Sequence, residues 1–335
     1  MGASQLKAIG VSEFGGPEAL QLLEVEKPRP GPGEIMVKVH YAGINYLDIY
    51  MRSGIYRRSK TYETPLPMVL GMEGAGAVEA CGPDVTGFQA GDAVAWCLSR
   101  GAYAEYAVVP AWRLVRTPVG VPAAVATALM LQGMTAHYLT HSAFPLEDGQ
   151  TCLIHAAAGG VGQLLVQLAK LRGARVIATA GSREKAELAA RRGADFCILY
   201  REEDFLPIVR ELTDGKGVDV AYDSVGRETV ARSIRSLRRR GTCIMYGTSS
   251  GVVDCIAPLE LAEAGSVFFT RPHLADYTAS AEEIAWRGEA LFQAAASGRL
   301  VVSIDREFPL EDARLAHETI EGRHTRGKLL LRVGE

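Results

Sequence analysis

The chain has 335 residues, 48% hydrophobic and 22% charged, with a formal net charge of −3 at pH 7. That length accommodates two domains with separate cores, and the charge balance, with no basic stripe interleaved with aromatics, speaks against nucleic-acid binding. No apolar run approaches the roughly 18–20 residues that a membrane span needs.

The first residues, MGASQLKAIG, lack a basic stretch followed by an apolar core, and Leu6 stands where a myristoylation start needs Ser or Thr. A cytoplasmic protein without a membrane anchor is expected. Segments 6–11, 20–26, 34–41, 76–80, 93–97 and 102–109 are short, alternating or apolar, and separated by turns such as Pro30-Gly31-Pro32-Gly33. They predict an all-β, barrel-like domain. The six cysteines are widely spaced with no C-x-x-C pair, which predicts reduced packing residues and excludes a compact four-cysteine zinc lobe.

From residue 152 the texture changes. The apolar run Cys152-Leu153-Ile154 leads into HAAAGGVG, 155–162, and then into apolar residues at Val161, Leu164, Leu165, Leu168 and Leu171. That spacing is a helix buried on one side, with Gly173 placed to end it. Strand, glycine turn and helix are the setting in which backbone N–H groups and the positive end of a helix receive a pyrophosphate. The motif has alanine, Ala157, at its first glycine position, so alone it is weak. Strand-like runs at 175–179, 196–200, 218–222, 242–246 and 266–270 follow, with helical stretches at 182–192, 204–212, 228–238 and 258–264 between them. With the first strand this makes six, the pattern of a doubly wound parallel Rossmann sheet.

The end of the second strand reads Thr179-Ala180-Gly181-Ser182-Arg183-Glu184-Lys185. A site for NAD carries a carboxylate at the strand end for the ribose 2′-hydroxyl, and here there is none. Ser182, Arg183 and Lys185 favour NADP(H), while Ser182 also suits a helix cap. The tail returns to a strand near 306–310, a helix near 311–321 and a strand near 327–333, which predicts a discontinuous first domain, 1–128 with 271–335, around a nucleotide domain, 129–270.

The chain resembles the zinc-free quinone oxidoreductase branch, which includes the zeta-crystallins, of the medium-chain dehydrogenase/reductase superfamily. The resemblance runs through GGPEALQLLEV at 15–25, GINYLDIYMRSGIY at 43–56, LGMEGAGAVEACGPDV at 70–85, GDAVAW at 91–96, LQGMTAHYL at 131–139, HAAAGGVG, YREEDF at 200–205, YDSVG at 222–226, YGTSSG at 246–251 and TRP at 270–272. It implies a GroES-like β-barrel catalytic domain beside the Rossmann domain, and a homodimer in which the sixth strand pairs across a twofold axis. Zinc-dependent relatives would place a cysteine ligand near Asn45-Tyr46 and a histidine in a Gly-His-Glu step that here reads Gly71-Met72-Glu73. Glu73 alone cannot hold zinc.

Without a metal, the expected chemistry is hydride transfer from NADPH to an electrophilic acceptor, a quinone or a C=C bond conjugated to a carbonyl (an enoyl, enone or 2-haloacrylate type). A crystallin-like structural role or RNA binding is the non-enzymatic alternative. The resemblance makes Asn45 and Tyr50 the donors beside the acceptor, with Tyr46 a weaker third and Asp48 a buried carboxylate that orients the loop. It puts Asn45, Met134 and Thr135 on the nicotinamide side, and Ala158, Gly159, Gly160 and Val161 along the pyrophosphate. Gly181, Ser182, Lys185 and Tyr200 fall around the adenosine 2′-phosphate, and Tyr246, Gly247, Ser249, Thr270 and Arg271 approach from the later strand ends. His155 is expected to be a satisfied core histidine. Arg52, Arg57, Arg58 and Lys60 are expected to form a basic rim at the substrate entrance, suited to anionic acceptors. The run from Arg235 to Arg240 is expected to end a helix and complement its dipole.

Overall fold

The computed structural model describes residues 5–323 and 325–334, so the reading of the first four residues, MGAS, lies outside the described residues. The chain divides into two compact units, Met1–Met134 with Thr278–Glu335, and Thr135–Tyr277.

The first unit opens with β1 (Gln5–Val11), β2 (Gln21–Glu26), β3 (Glu34–Ile44), the short helix α1 (Tyr46–Arg52), β4 (Met68–Val69) and β5 (Glu73–Cys81). β6 (Ala93–Cys97), β7 (Tyr106–Pro110), β8 (Val115–Arg116) and α2 (Ala123–Tyr138) follow, and the division between the units falls inside α2. β3 is the centre of this unit, pairing antiparallel with β5 and β7. The sequence stops β3 near residue 41. It continues to Ile44 because Ile44 pairs with Leu329, on a strand formed by the other end of the chain. Residues 102–105, expected as strand, instead hold the Gly71 turn, with Ala102 N–H donating to the Gly71 carbonyl at 3.0 Å and Tyr103 N–H to that of Leu70 at 3.0 Å.

The second unit alternates strand and helix: β9 (Thr151–Ile154), α3 (Gly160–Leu171), β10 (Arg175–Ala180), α4 (Arg183–Arg191), β11 (Phe196–Leu199), α5 (Phe205–Leu212) and β12 (Val218–Asp223). It ends with α6 (Val230–Arg235), β13 (Leu237–Met245), α7 (Pro258–Glu263) and β14 (Phe268–Thr270). The six strands form one parallel sheet in the order β11-β10-β9-β12-β13-β14, a Rossmann arrangement whose chain reversal lies beside β9. Leu153, Ile177 and Ile198 of the sheet pack with Phe205, Val209 and Ile234 of the helices. Each such buried aliphatic stabilises the unit by about 1.5–3 kcal/mol. In α3, Leu164, Leu165 and Leu168 are buried as the periodicity requires, whereas Leu171 in the last turn is exposed.

The helix expected over 228–238 is cut to α6, because Leu237 already pairs with Val218 in the sheet. Arg238, Arg239 and Arg240 therefore stand on or beside a strand, and only Arg235 meets the end of a helix. The tail adds α8 (Ala281–Ala296), β15 (Ile304–Pro309), α9 (Ala313–Glu321) and β16 (Lys328–Arg332) to the first unit.

Candidate active site

The glycine turn joins β9 to α3. Ala156 takes a positive φ of 50°, and Gly159 N–H closes the turn on the Ala156 carbonyl at 2.9 Å. Gly159 is the N-cap of α3 and offers no side chain to the first helical N–H groups, which leaves them to an external anion. A Cβ at Gly162 would lie 2.3 Å from the Ala156 carbonyl oxygen and 2.8 Å from Ala157 Cα. Helix and strand approach so closely that only glycine fits there. Ala157 and Ala158 are buried, and Ala157 fills the first glycine position without disturbing the turn. First-turn N–H groups left without a side-chain cap, over a turn of alanines and glycines, fit a pyrophosphate.

At the end of β10, Gly181 leads into Ser182, whose Oγ accepts from Lys185 N–H at 3.4 Å and caps α4. No carboxylate stands at the strand end. Tyr200 lies over Gly181: a Cβ there would sit 3.4 Å from its hydroxyl and 3.4 Å from Nε of Arg201. Tyr200 was legible in the sequence, but Arg201 was not.

The turns after β12 and β13 are tied together. Asp223 accepts from Val225 N–H and Gly226 N–H, each at 2.9 Å, and from the hydroxyls of Thr229 and Ser233. Tyr246 N–H donates to the Asp223 carbonyl at 2.9 Å and Ser249 N–H to that of Ser224 at 3.1 Å. A Cβ at Gly247 would lie 2.7 Å from the Ser224 carbonyl oxygen. Arg271, just past β14 and Thr270, donates to the Pro272 carbonyl at 3.1 Å. His155 is buried between Thr179 and Ser233, each 2.9 Å from a ring nitrogen, and burial pushes its pKa down. It is a core histidine. Asp223, which organises this region, is a hub that sequence reasoning missed, although YDSVG marked the segment.

In the first unit, α1 carries Tyr46 and Tyr50. Ring centroids of Tyr46 and Tyr50 lie 6.0 Å apart, those of Tyr50 and Tyr56 5.5 Å, and those of Tyr56 and Tyr62 5.2 Å, a ladder of four tyrosines. Tyr46 donates its hydroxyl to the Ile320 carbonyl at 3.2 Å, and burial pushes its pKa up to about 12.

Asn45 is buried and fully engaged. Its Oδ1 accepts from Lys328 Nζ at 2.7 Å, and its Nδ2 donates to Glu73 Oε2 at 2.9 Å and to the Gly43 carbonyl at 3.4 Å. Both amide hydrogens have acceptors within the chain, which fixes the orientation of the Asn45 side chain. Lys328 also donates to Glu73, and both are buried. Gly43 is required beneath them, since a Cβ there would meet Glu73 Oε2 and lie 2.8 Å from Lys328 Nζ.

Asp48 orients this segment as expected, accepting from Asn45 N–H at 2.9 Å and Met72 N–H at 3.0 Å. Burial pushes its pKa up to about 7, against the opposing pull of Lys328 and these two N–H donors. Beside Asp48 a buried run of hydrogen bonds begins at Tyr103 and leads outward. The Tyr103 hydroxyl, near enough to Asp48 for its charge to be felt, lies 3.1 Å from His317 Nε2, and Arg52 Nη1 lies 3.1 Å from His317 Nδ1. An arginine only donates, so His317 accepts at Nδ1 and donates from Nε2–H to Tyr103. Burial and the adjacent Arg52 push the His317 pKa down to about 3. Arg52 also pairs with Glu321 at 2.7 Å. Arg52 is thus a buried structural cation rather than part of the basic rim, while Arg57, Arg58 and Lys60 are exposed. Met134 is buried with its sulfur 3.7 Å from Cys97 Sγ, and Thr135 is buried next to it in α2.

Among the described residues, no group of three or more His, Cys, Asp or Glu side chains could hold a metal ion. The Glu73 carboxylate is committed to Lys328, Asn45 and the Leu131 N–H, so the donor set at Gly71-Met72-Glu73 does not fit zinc. Among the described residues, no helix is long and apolar enough to cross a membrane.

Residues 31–119 match the family model described as alcohol dehydrogenase GroES-like domain, and residues 160–283 match that described as zinc-binding dehydrogenase. A 2-haloacrylate reductase from a Burkholderia species is 42% identical over 96% of this chain and 97% of its own length. The structure of a quinone oxidoreductase from Pseudomonas syringae aligns with a TM-score of 0.94 at 40% identity, over 98% of this chain and 100% of that one. That of Escherichia coli quinone oxidoreductase complexed with NADPH aligns with a TM-score of 0.93 at 39% identity, again over 98% and 100%. The chain belongs to the quinone oxidoreductase branch of the medium-chain dehydrogenase/reductase superfamily.

Proposed function

We propose that the chain is an NADPH-dependent oxidoreductase that reduces quinones by hydride transfer without zinc. The observation that carries this reading is the pairing of an uncapped α3 N-terminus with a β10 end that lacks a carboxylate, in a chain about 40% identical to quinone oxidoreductases over its whole length. NADPH, when bound, supplies the hydride. Ala158, Gly159, Gly160 and Val161 would hold its pyrophosphate, and Gly181, Ser182, Lys185 and Tyr200 its adenosine end. Met134, Thr135, Tyr246, Gly247, Ser249, Thr270 and Arg271 would receive the rest.

Tyr50 is the donor proposed for the acceptor oxygen that gains charge. Asn45, held by Lys328 and Glu73, positions the start of α1 and so the tyrosine it carries. We infer a homodimer paired along β14, whose Phe268 is exposed on the edge of the sheet, and a cytoplasmic location with neither nucleic acid nor membrane as partner. A second reading, reduction of an activated C=C bond, draws on the similarity to the 2-haloacrylate reductase and on exposed Arg57, Arg58 and Lys60. NADPH oxidation against a panel of ortho- and para-quinones, enones, enoyl thioesters and haloacrylates, with NADH as control, decides between the two. Turnover with NADPH and quinones is expected, and failure to oxidise NADPH with any acceptor would reject both enzyme readings.

A further inference from the structure

We infer that Arg201 is the residue that distinguishes the phosphorylated dinucleotide from its unphosphorylated form, clamping the adenosine 2′-phosphate from the strand beside the one that the glycine motif leads to. The inference rests on the NADPH reading and adds to it a ligand from a different strand.

The placement follows from the sheet. β10 and β11 run parallel with Ala180 opposite Leu199, so the residues leaving the two strands, Gly181 on one and Tyr200-Arg201 on the other, emerge side by side. The chain then folds back: the N–H groups of Glu202 and Glu203 both donate to the Leu199 carbonyl, at 2.8 and 3.0 Å. This turn lays Tyr200 and Arg201 over Gly181, where the hydroxyl of one and Nε of the other are each 3.4 Å from the position of a Cβ. The space is bounded by a tyrosine hydroxyl, a guanidinium and the capped first turn of α4.

The guanidinium has nothing else to do. Arg201 is exposed, and among the described residues it makes no hydrogen bond or ion pair, although two glutamates follow it directly. Arg175, Arg232 and Arg238 of this unit are engaged, with the Leu212 carbonyl, Asp204 and Asp219, whereas Arg183 at the start of α4 is exposed like Arg201 but is not among the groups that meet the Gly181 position. A planar fork of N–H donors matches a phosphate, which accepts several bonds at once, better than it matches a ribose hydroxyl. The β10 end presents no carboxylate to compete for it.

Isothermal titration of the full chain with adenosine 2′,5′-bisphosphate and with 5′-AMP separates the 2′-phosphate from the rest of the nucleotide. Arg201→Met is expected to lower affinity for the bisphosphate about tenfold and to leave 5′-AMP unchanged, with Arg201→Lys in between. Its binding should also depend less steeply on salt. A preference for the bisphosphate that survives Arg201→Met, or equal losses for both nucleotides, would overturn the role of Arg201 alone. An unmodified chain that binds both nucleotides equally would overturn the NADPH reading as well. Because the side chain is exposed, the substitution leaves the fold intact.

Discussion

Around Gly159–Gly162 the chain reaches its working shape with backbone alone: a positive φ at Ala156, an uncapped helix start, and a glycine where no Cβ fits. The wall at Asn45 is built in the opposite way, from buried polar side chains: Lys328 and Glu73 hold the Asn45 amide, Asp48 accepts from the Asn45 N–H, and beside them Tyr103, His317 and Arg52 are bonded in turn. The first construction needs only neighbours in sequence. The second needs residues from both ends of the chain, and each buried charge depends on a partner to offset its desolvation. On the proposed reading, backbone would receive the dinucleotide and side chains would shape the surface that meets the acceptor.

The sharpest way to break this contrast is Lys328→Met, which strands the Glu73 carboxylate in the core. A loss of about 3–5 kcal/mol in stability is expected by denaturant titration, with much of it recovered by adding Glu73→Leu. A double variant no more stable than the single one would show that the pair is not coupled.

The backbone side is tested by Gly162→Ala, whose Cβ must displace the Ala156 carbonyl. About a hundredfold loss in affinity for adenosine 2′,5′-bisphosphate, with little change in the circular dichroism spectrum, is expected. Unchanged affinity would remove the turn from the site.

Smaller and more diagnostic are two opposed pH slopes. Asp48 rises from 3.8 to about 7 on folding, so the folded chain holds its proton more tightly and stability falls as pH rises across that window. His317 falls from 6.5 to about 3, so stability is lost as pH drops across that window. Each slope is at most about 1.4 kcal/mol per pH unit, and in the native chain they offset each other. The charged and titratable neighbours are Lys328, Glu73 and Tyr103 around Asp48, and Arg52 and Tyr103 around His317. Denaturation midpoints between pH 4.5 and 6.5 should fall with pH in His317→Gln and rise with pH in Asp48→Asn. Slopes of the same sign would show that burial does not shift the two groups in opposite directions.

The smallest effect is expected at the rim. Neutralising Arg57 and Arg58 should raise KM for an anionic acceptor about threefold and leave a neutral quinone unchanged, as suits exposed charges. Equal effects on both would reject a preference for anions.

The same contrast explains what could be read from the sequence. Strand, turn and helix around 155–162 follow from spacing within a dozen residues, and His155 was recognisable as core because it continues an apolar strand. Arg52 was grouped with its basic neighbours, since nothing near it in sequence announces His317 or Glu321, more than 260 residues away. Lys328 looks like an ordinary charge at the start of a strand until Glu73 and Asn45 are brought to it. Arg201 escaped notice because the rule for the nucleotide's sugar looks along the chain from the glycine motif, whereas the sheet places the end of β11 beside β10.

The one-way run of donors from Arg52 through His317 and Tyr103 has an evolutionary consequence. A lineage that exchanges any one of the three leaves a buried donor or acceptor idle, which costs about 1–3 kcal/mol. Substitutions at positions 52, 103 and 317 should therefore be inherited as a set across related genes, turning over together or not at all.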